Sequence, residues 1–155
     1  MTLSSPSIQL LSAIWNLWQS LVADGAARLR EDCGLDLKEF IAAGYLQASP
    51  TQPAQLAAEL QMPRYEVSRL LGSLEQKGFV QRTRFQTDGR QVLVELTPSG
   101  LRAWETGLQT VQHVAEPYLS HLNDTKRQDL IATLASLIRI PIESGSFRFN
   151  PSGCE

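Results

Sequence analysis

The side chains with the most chemistry to offer in this 155-residue chain are cationic. Arg64, Arg69, Arg84 and Arg90 fall in one short stretch, with Tyr65 and Ser68 interleaved. An arginine fork pairs bidentately with a guanine edge or with phosphate, serine bonds either, and tyrosine packs on a thymine methyl or bonds phosphate. Asp88 stands two residues before Arg90, close enough to aim that guanidinium through a charge-assisted hydrogen bond. The whole chain carries −2, yet the stretch from Gln61 to Arg102 does not share that sign. It holds seven basic residues (Arg64, Arg69, Lys77, Arg82, Arg84, Arg90, Arg102) against four acidic ones (Glu66, Glu75, Asp88, Glu95). That local balance of +3 leaves −5 for the rest, the pattern of an anion-binding surface set in an acidic protein.

Catalytic and metal-binding chemistry have no comparable constellation. The chain lacks a G-x-S-x-G turn, a phosphate-binding P-loop and an H-E-x-x-H helix, so no catalytic residue is assigned and an enzyme is not expected. His113 and His121 lie on helical sequence interrupted by Pro117 and come with no ligand set, and no metal or cofactor is expected. Two cysteines, Cys33 and Cys154, make neither a disulfide framework nor a zinc site. There is no membrane-length apolar run and no basic leader, so the cytoplasm is the expected location.

The elements that must position the arginines follow from periodicity. Ile8, Leu11, Trp15, Trp18 and Val22 recur at three- and four-residue steps, predicting a long amphipathic helix from Ile8 to Arg30 that Gly34 breaks. Asp36 with Glu39 reads as a capping box opening a second helix, Leu37 to Gln47. Thr51 is placed to cap a short helix bearing Leu56, Ala57 and Leu60. Pro63 suits the first turn of the next, whose apolar stripe is Val67, Leu70, Leu71 and Leu74 and whose stop is Gly78. Phe79 to Phe85 and Gln91 to Thr97 read as strands around Asp88-Gly89, a hairpin turn. Thr97-Pro98 opens a long helix through Leu101, Trp104, Leu108, Val111 and Val114 that Pro117 should bend or end. Asn123 or Asp124 caps a last helix with Leu130, Leu134, Leu137 and Ile138, and residues 141–155 read as a tail.

Two short helices and a hairpin in immediate succession make a winged helix-turn-helix. Burying the Val67–Leu74 stripe turns Tyr65, Arg69 and Gly72 outward, with Arg64 and Ser68 on the flanks. A solvated helix face would explain those residues alone. Arg82, Arg84 and Arg90 around the hairpin turn the balance, because a cationic ribbon tip fits a narrow minor groove.

The run from Leu56 to Gly100 closely resembles MarR-type regulators, with LAAEL, VSRLLGSLEQKGFVQR and DGRQVLVELTPSG in order and spacing. The resemblance covers roughly residues 54–105, about a third of the chain. It implies a mostly α fold with a two-stranded wing, a single domain over 1–155. Residues 7–34 and 98–140 would form the dimerisation helices of a homodimer, and 37–97 the winged lobe. It implies a transcription regulator, expected to be a repressor, on a pseudo-palindrome in double-stranded DNA. Ser68 and Arg69 take the recognition positions, and Asp88 and Arg90 the wing-tip pair. Gly72 and Gly89 depart from the family pattern, standing where relatives often carry an acidic residue and a second arginine.

Relatives commonly release DNA on binding a small aromatic effector or on cysteine oxidation. Trp15, Trp18 and Tyr45, with His113 as a polar contact, are the residues to line an effector pocket, and the same aromatics suit a dimer core. Cys33 sits near the end of its helix, not near the start where the peroxide-sensing branch carries its cysteine, so a peroxide sensor is not expected. The alternative function is a winged-helix module for protein partners that has lost specific DNA binding. The retained arginines favour DNA.

Overall fold

The structure, a computed structural model, describes residues 5–84 and 92–137. Six helices and a two-stranded sheet follow in the order α1 (Pro6–Cys33), α2 (Leu37–Ala48), α3 (Pro53–Glu59), α4 (Arg64–Gln76), β1 (Val80–Arg84), β2 (Val92–Leu96), α5 (Pro98–Leu119) and α6 (Asp124–Leu137). The fold is the expected one, mostly helical with a two-stranded antiparallel wing.

Local chemistry sets the boundaries. Gly34 ends α1 in the left-handed region, φ 72°, a conformation that favours glycine, and its N–H returns to the Arg30 carbonyl. The Asp36 carboxylate accepts from the Glu39 N–H while the Glu39 carboxylate accepts from the Asp36 N–H, a complete capping box. Gly78, also at φ 72°, stops the chain after α4, and the Thr97 hydroxyl oxygen accepts from the Gly100 N–H to cap α5. Asn123 accepts from the Lys126 N–H at 2.9 Å at the start of α6.

Two expectations need correction. Thr51 does not cap α3, whose N-cap is Gln52; it is buried and exchanges backbone hydrogen bonds with Val94 at 3.0 and 2.9 Å. This bridge adds the α2–α3 connection to the edge of the wing, a pairing across 43 residues that no local pattern announces. Pro63 lies just outside α4 as its N-cap rather than in its first turn. Pro117, expected to bend or end α5, lies in its last turn, and the helix closes two residues further on at Leu119. Ile138, Cys154 and the 141–155 tail lie outside the described residues.

The core sits under the wing. Leu35, Ala42, Leu46, Leu56, Val67, Leu71, Leu74, Val80 and Val94 form one buried cluster contributed by α2, α3, α4 and the sheet. Strand register pairs Val80 with Leu96 and Arg82 with Val94, which holds β1 across the inner strand. The Phe40 and Trp104 rings stack with centroids 6.4 Å apart, joining α2 to α5. Where α5 begins, Gly100 packs so tightly on the Phe79 carbonyl that no methyl fits between them.

Candidate nucleic-acid interface

Helix α4 buries Val67, Leu70, Leu71 and Leu74 and presents its opposite side to solvent. Arg64, Tyr65, Ser68 and Arg69 are all exposed, as their spacing requires, and Tyr65 is 64% accessible. This clustering lies in the N-terminal half of α4, the part of such a helix that reaches base edges. Gly72 continues the same face, and a Cβ added there would meet no atom within 4 Å. Arg64, Ser68 and Leu71 share a shallow open groove of about 220 Å³ with Pro53, Ala54 and Arg82.

The wing supplies the second cationic element. Arg82 and Arg84 are exposed on β1. They are not equivalent, because Arg82 is tied to Glu75 of α4 at 3.1 Å and so anchors the sheet to the helix. Gln81 and Thr83 donate to Glu95 at 2.8 and 3.3 Å across the opposite face of the ribbon. Asp88 and Arg90, with the hairpin turn, lie outside the described residues.

One flank of α4 is held to α2 by charge. Lys38 meets Glu66 at 3.2 Å in the open. Deeper in, the Glu39 carboxylate is almost fully buried and both oxygens are used. One accepts from the Ser73 hydroxyl at 2.7 Å; the other accepts from Lys77 Nζ at 2.6 Å and the Asp36 N–H at 2.9 Å. Burial pushes the Glu39 carboxyl up, but the Lys77 and Asp36 donors and the Ser73 hydroxyl outweigh it and hold the group below its usual range. Its contribution to stability is therefore present above the unfolded-state value and fades as pH falls through the folded one. Sequence reasoning saw Glu39 only as a cap; its partners 34 and 38 residues away carry no local signal.

The residues expected to line an effector pocket lie on three helices, α1, α2 and α5. Trp15 and Trp18 stand exposed on the N-terminal part of α1, and His113 is exposed on α5. Tyr45 is half-buried against the lobe core. Cys33 is half-buried, donates to the Leu29 carbonyl at 3.0 Å, and burial pushes its thiol up, away from the reactive thiolate. Among the described residues no group of three or more His, Cys, Asp or Glu is placed to hold a metal ion, and no helix is long and apolar enough to cross a membrane.

A sequence profile described as the MarR family matches residues 34–91, from the Gly34 cap to the wing. A Thauera aromatica protein, provisionally named a transcriptional regulatory protein for the hcr operon, is 29% identical over 100 residues. That match covers 62% of this chain, which spans 60% of the relative's length. Among solved structures, the transcriptional regulator BldR of Sulfolobus solfataricus superposes with a TM-score of 0.73 at 22% identity, covering 89% of this chain and all of that one. The transcriptional repressor CouR, solved on a 23-mer DNA duplex, superposes with a TM-score of 0.73 at 23% identity, covering 87% of this chain and 93% of that one. At such identities the structural likeness speaks for the fold. The profile seated on the winged lobe makes that part of the chain similar to MarR-family proteins, and the same winged helix-turn-helix fold runs through both structural neighbours.

Proposed function

We propose that the protein is a transcription regulator that binds double-stranded DNA as a homodimer, and that it acts by occupancy rather than catalysis. The observation that carries this reading is the outward face of α4, where Arg64, Tyr65, Ser68 and Arg69 stand exposed beside the Arg82 groove and the Arg84 edge of the wing. In the proposed complex this face enters a major groove, while Arg84, with Asp88 and Arg90 beyond it, follows the backbone toward the minor groove. The exposed apolar residues of α1 and α6 meet those of a second copy, spacing two recognition helices for a pseudo-palindrome with half-sites about one helical turn apart. Repression is the sense of regulation proposed, in keeping with the name of the DNA-bound neighbour, and the cytoplasm is the compartment. A small aromatic effector held near Trp15, Trp18, Tyr45 and His113 would act by favouring a DNA-incompetent spacing of the two lobes.

The test is a salt-titrated binding assay on the chain's own upstream intergenic DNA beside a scrambled duplex. Arg69→Ala is expected to cost about 1–3 kcal/mol on the native fragment and to erode the preference for it. Arg84→Ala is expected to weaken both duplexes alike and to lower the salt slope by about one contact. Equal losses on both duplexes for Arg69→Ala sink the division between base reading and backbone binding. A chain that binds neither duplex is the outcome that favours a protein partner.

A further inference from the structure

The outward face of α4 can read DNA only if the helix holds one rotation about its own axis. Burial of the leucine stripe selects which face turns outward, and the polar flank adds directional contacts that narrow the rotation further. Ser73 on α4 and Lys77, its C-cap one turn later, both converge on the single carboxylate of Glu39, whose side chain is 4% exposed. The same ammonium of Lys77 also donates to the Gly34 carbonyl at 2.8 Å, the residue that closes α1. Three elements therefore meet within one hydrogen-bond shell: the end of the long arm helix, the first turn of α2 and the last turn of α4.

We propose that Glu39 and Lys77 position the recognition helix, holding the rotation of α4 against the C-terminal end of α1 so that arm movement reaches the reading face. The inference rests on the reading of α4 as the DNA-facing helix and adds how that face is held and regulated. Neither residue lies on the reading face, so their effect passes through helix orientation. A displaced α1 carries the Gly34 carbonyl with it, and Lys77 must then either follow or surrender one of its two acceptors. Because the Glu39 carboxylate is almost fully buried while Lys77 stays about one-third exposed, water can reach the ammonium but offers the carboxylate no easy substitute for it.

The experiment compares a duplex selected from a random library by the wild-type chain with a shuffled version, across a salt series. The variants are Glu39→Gln, Lys77→Met, the two combined, and Ser73→Ala, each checked for folding by circular dichroism. Glu39→Gln is expected to weaken binding to the selected duplex about tenfold while changing the shuffled one less than about twofold. Its salt slope should stay at the wild-type value, since no phosphate contact is lost. Lys77→Met should behave alike, and the double variant should be no worse than the poorer single, as two ends of one link require. Lys77→Arg, which keeps the cation, should retain most of the selectivity. Should Glu39→Gln fail to fold, Ser73→Ala leaves the ion pair intact and should still lose about threefold on the selected duplex alone.

Lower melting temperature with an unchanged ratio between the duplexes overturns the proposal and leaves the cluster a stabilising one. A salt slope lowered by about one contact in Lys77→Met also overturns it, by making Lys77 a phosphate ligand. If the wild-type chain selects no duplex, the DNA reading itself has failed. Selection by the wild type with intact selectivity in the variants defeats this inference alone.

Discussion

The lobe built from α2, α3, α4 and the wing differs sharply from the outer parts of α1 and α6. In the lobe, Leu56, Leu71, Leu74 and Val94 have no exposed surface, and α2 opens on its own capping box. On the outer arms, Leu11 is 70% exposed, Trp15 60% and Ile131 52%, alongside Ile8, Ile14, Leu17, Trp18, Leu130 and Leu134. A lone soluble chain rarely leaves so many large apolar side chains together in water. The contrast teaches that the lobe is complete within one chain, whereas the arms have apolar surface that only another surface can cover. The residues proposed to read DNA sit on the complete part, and those that would set the distance between two readers sit on the incomplete part.

The strongest way to break this comparison is to make the arms content as they are. Trp15→Glu combined with Leu11→Glu places two carboxylates on the apolar stripe. The expected result is a chain that sediments at half the wild-type mass and binds a palindromic duplex about a hundredfold or more weaker, the loss that follows when two linked sites become independent. Near-ultraviolet signal from Trp104, which stacks on Phe40 at the edge of the lobe, should survive. A variant that remains dimeric with full affinity would show that the arms do not join two copies.

The complementary blow falls on the lobe. Gly100 is pressed on the Phe79 carbonyl, whose oxygen also accepts the Thr97 N–H at 3.0 Å. Adding a methyl forces either the start of α5 or the chain entering β1 to move. Gly100→Ala is therefore expected to destabilise the fold by about 2–3 kcal/mol, seen as a drop of roughly 10 °C in melting temperature. Gly34 and Gly78 need glycine for their positive φ; Gly100 needs it for space alone. An unchanged melting temperature would mean that the contact relaxes freely.

What the sequence made legible follows the range of the interaction. Helix caps are local: Asp36 and Glu39 are three residues apart, as are Thr97 and Gly100, and the glycines that stop α1 and α4 act on their own backbone. The outward set on α4 was legible because one helical period relates it to a buried stripe in the same segment. Contacts made across the fold were not. Thr51 looked like a cap because threonine before a helix usually is one, and its pairing with Val94 depends on how the wing folds back. Glu39 satisfied its local role so fully that nothing in its neighbourhood pointed to Ser73 and Lys77. For Trp15, Trp18 and His113, which stand exposed, and Tyr45, which packs on the lobe core, periodicity assigns a face to each helix but not the face that meets it.

Gly72 offers the smallest and sharpest test of the divide between stability and reading. It lies inside α4, where glycine costs about 1 kcal/mol relative to alanine, and the protein side gives no reason for it: an added Cβ meets nothing within 4 Å. Gly72 continues the outward face of α4 one helical turn beyond Ser68, so under the proposed reading its open side is free for a close approach to DNA. Gly72→Ala should therefore move two readouts in opposite directions. Melting temperature should rise by a few degrees, the return of about 0.5–1 kcal/mol of helix propensity. Affinity for the selected duplex should fall by about threefold, because the methyl holds the helix backbone away from the groove edge, whereas the folded lobe gains. Should stability rise with affinity untouched, Gly72 makes no close approach to DNA, and the contact surface ends with the Arg64 to Arg69 turn.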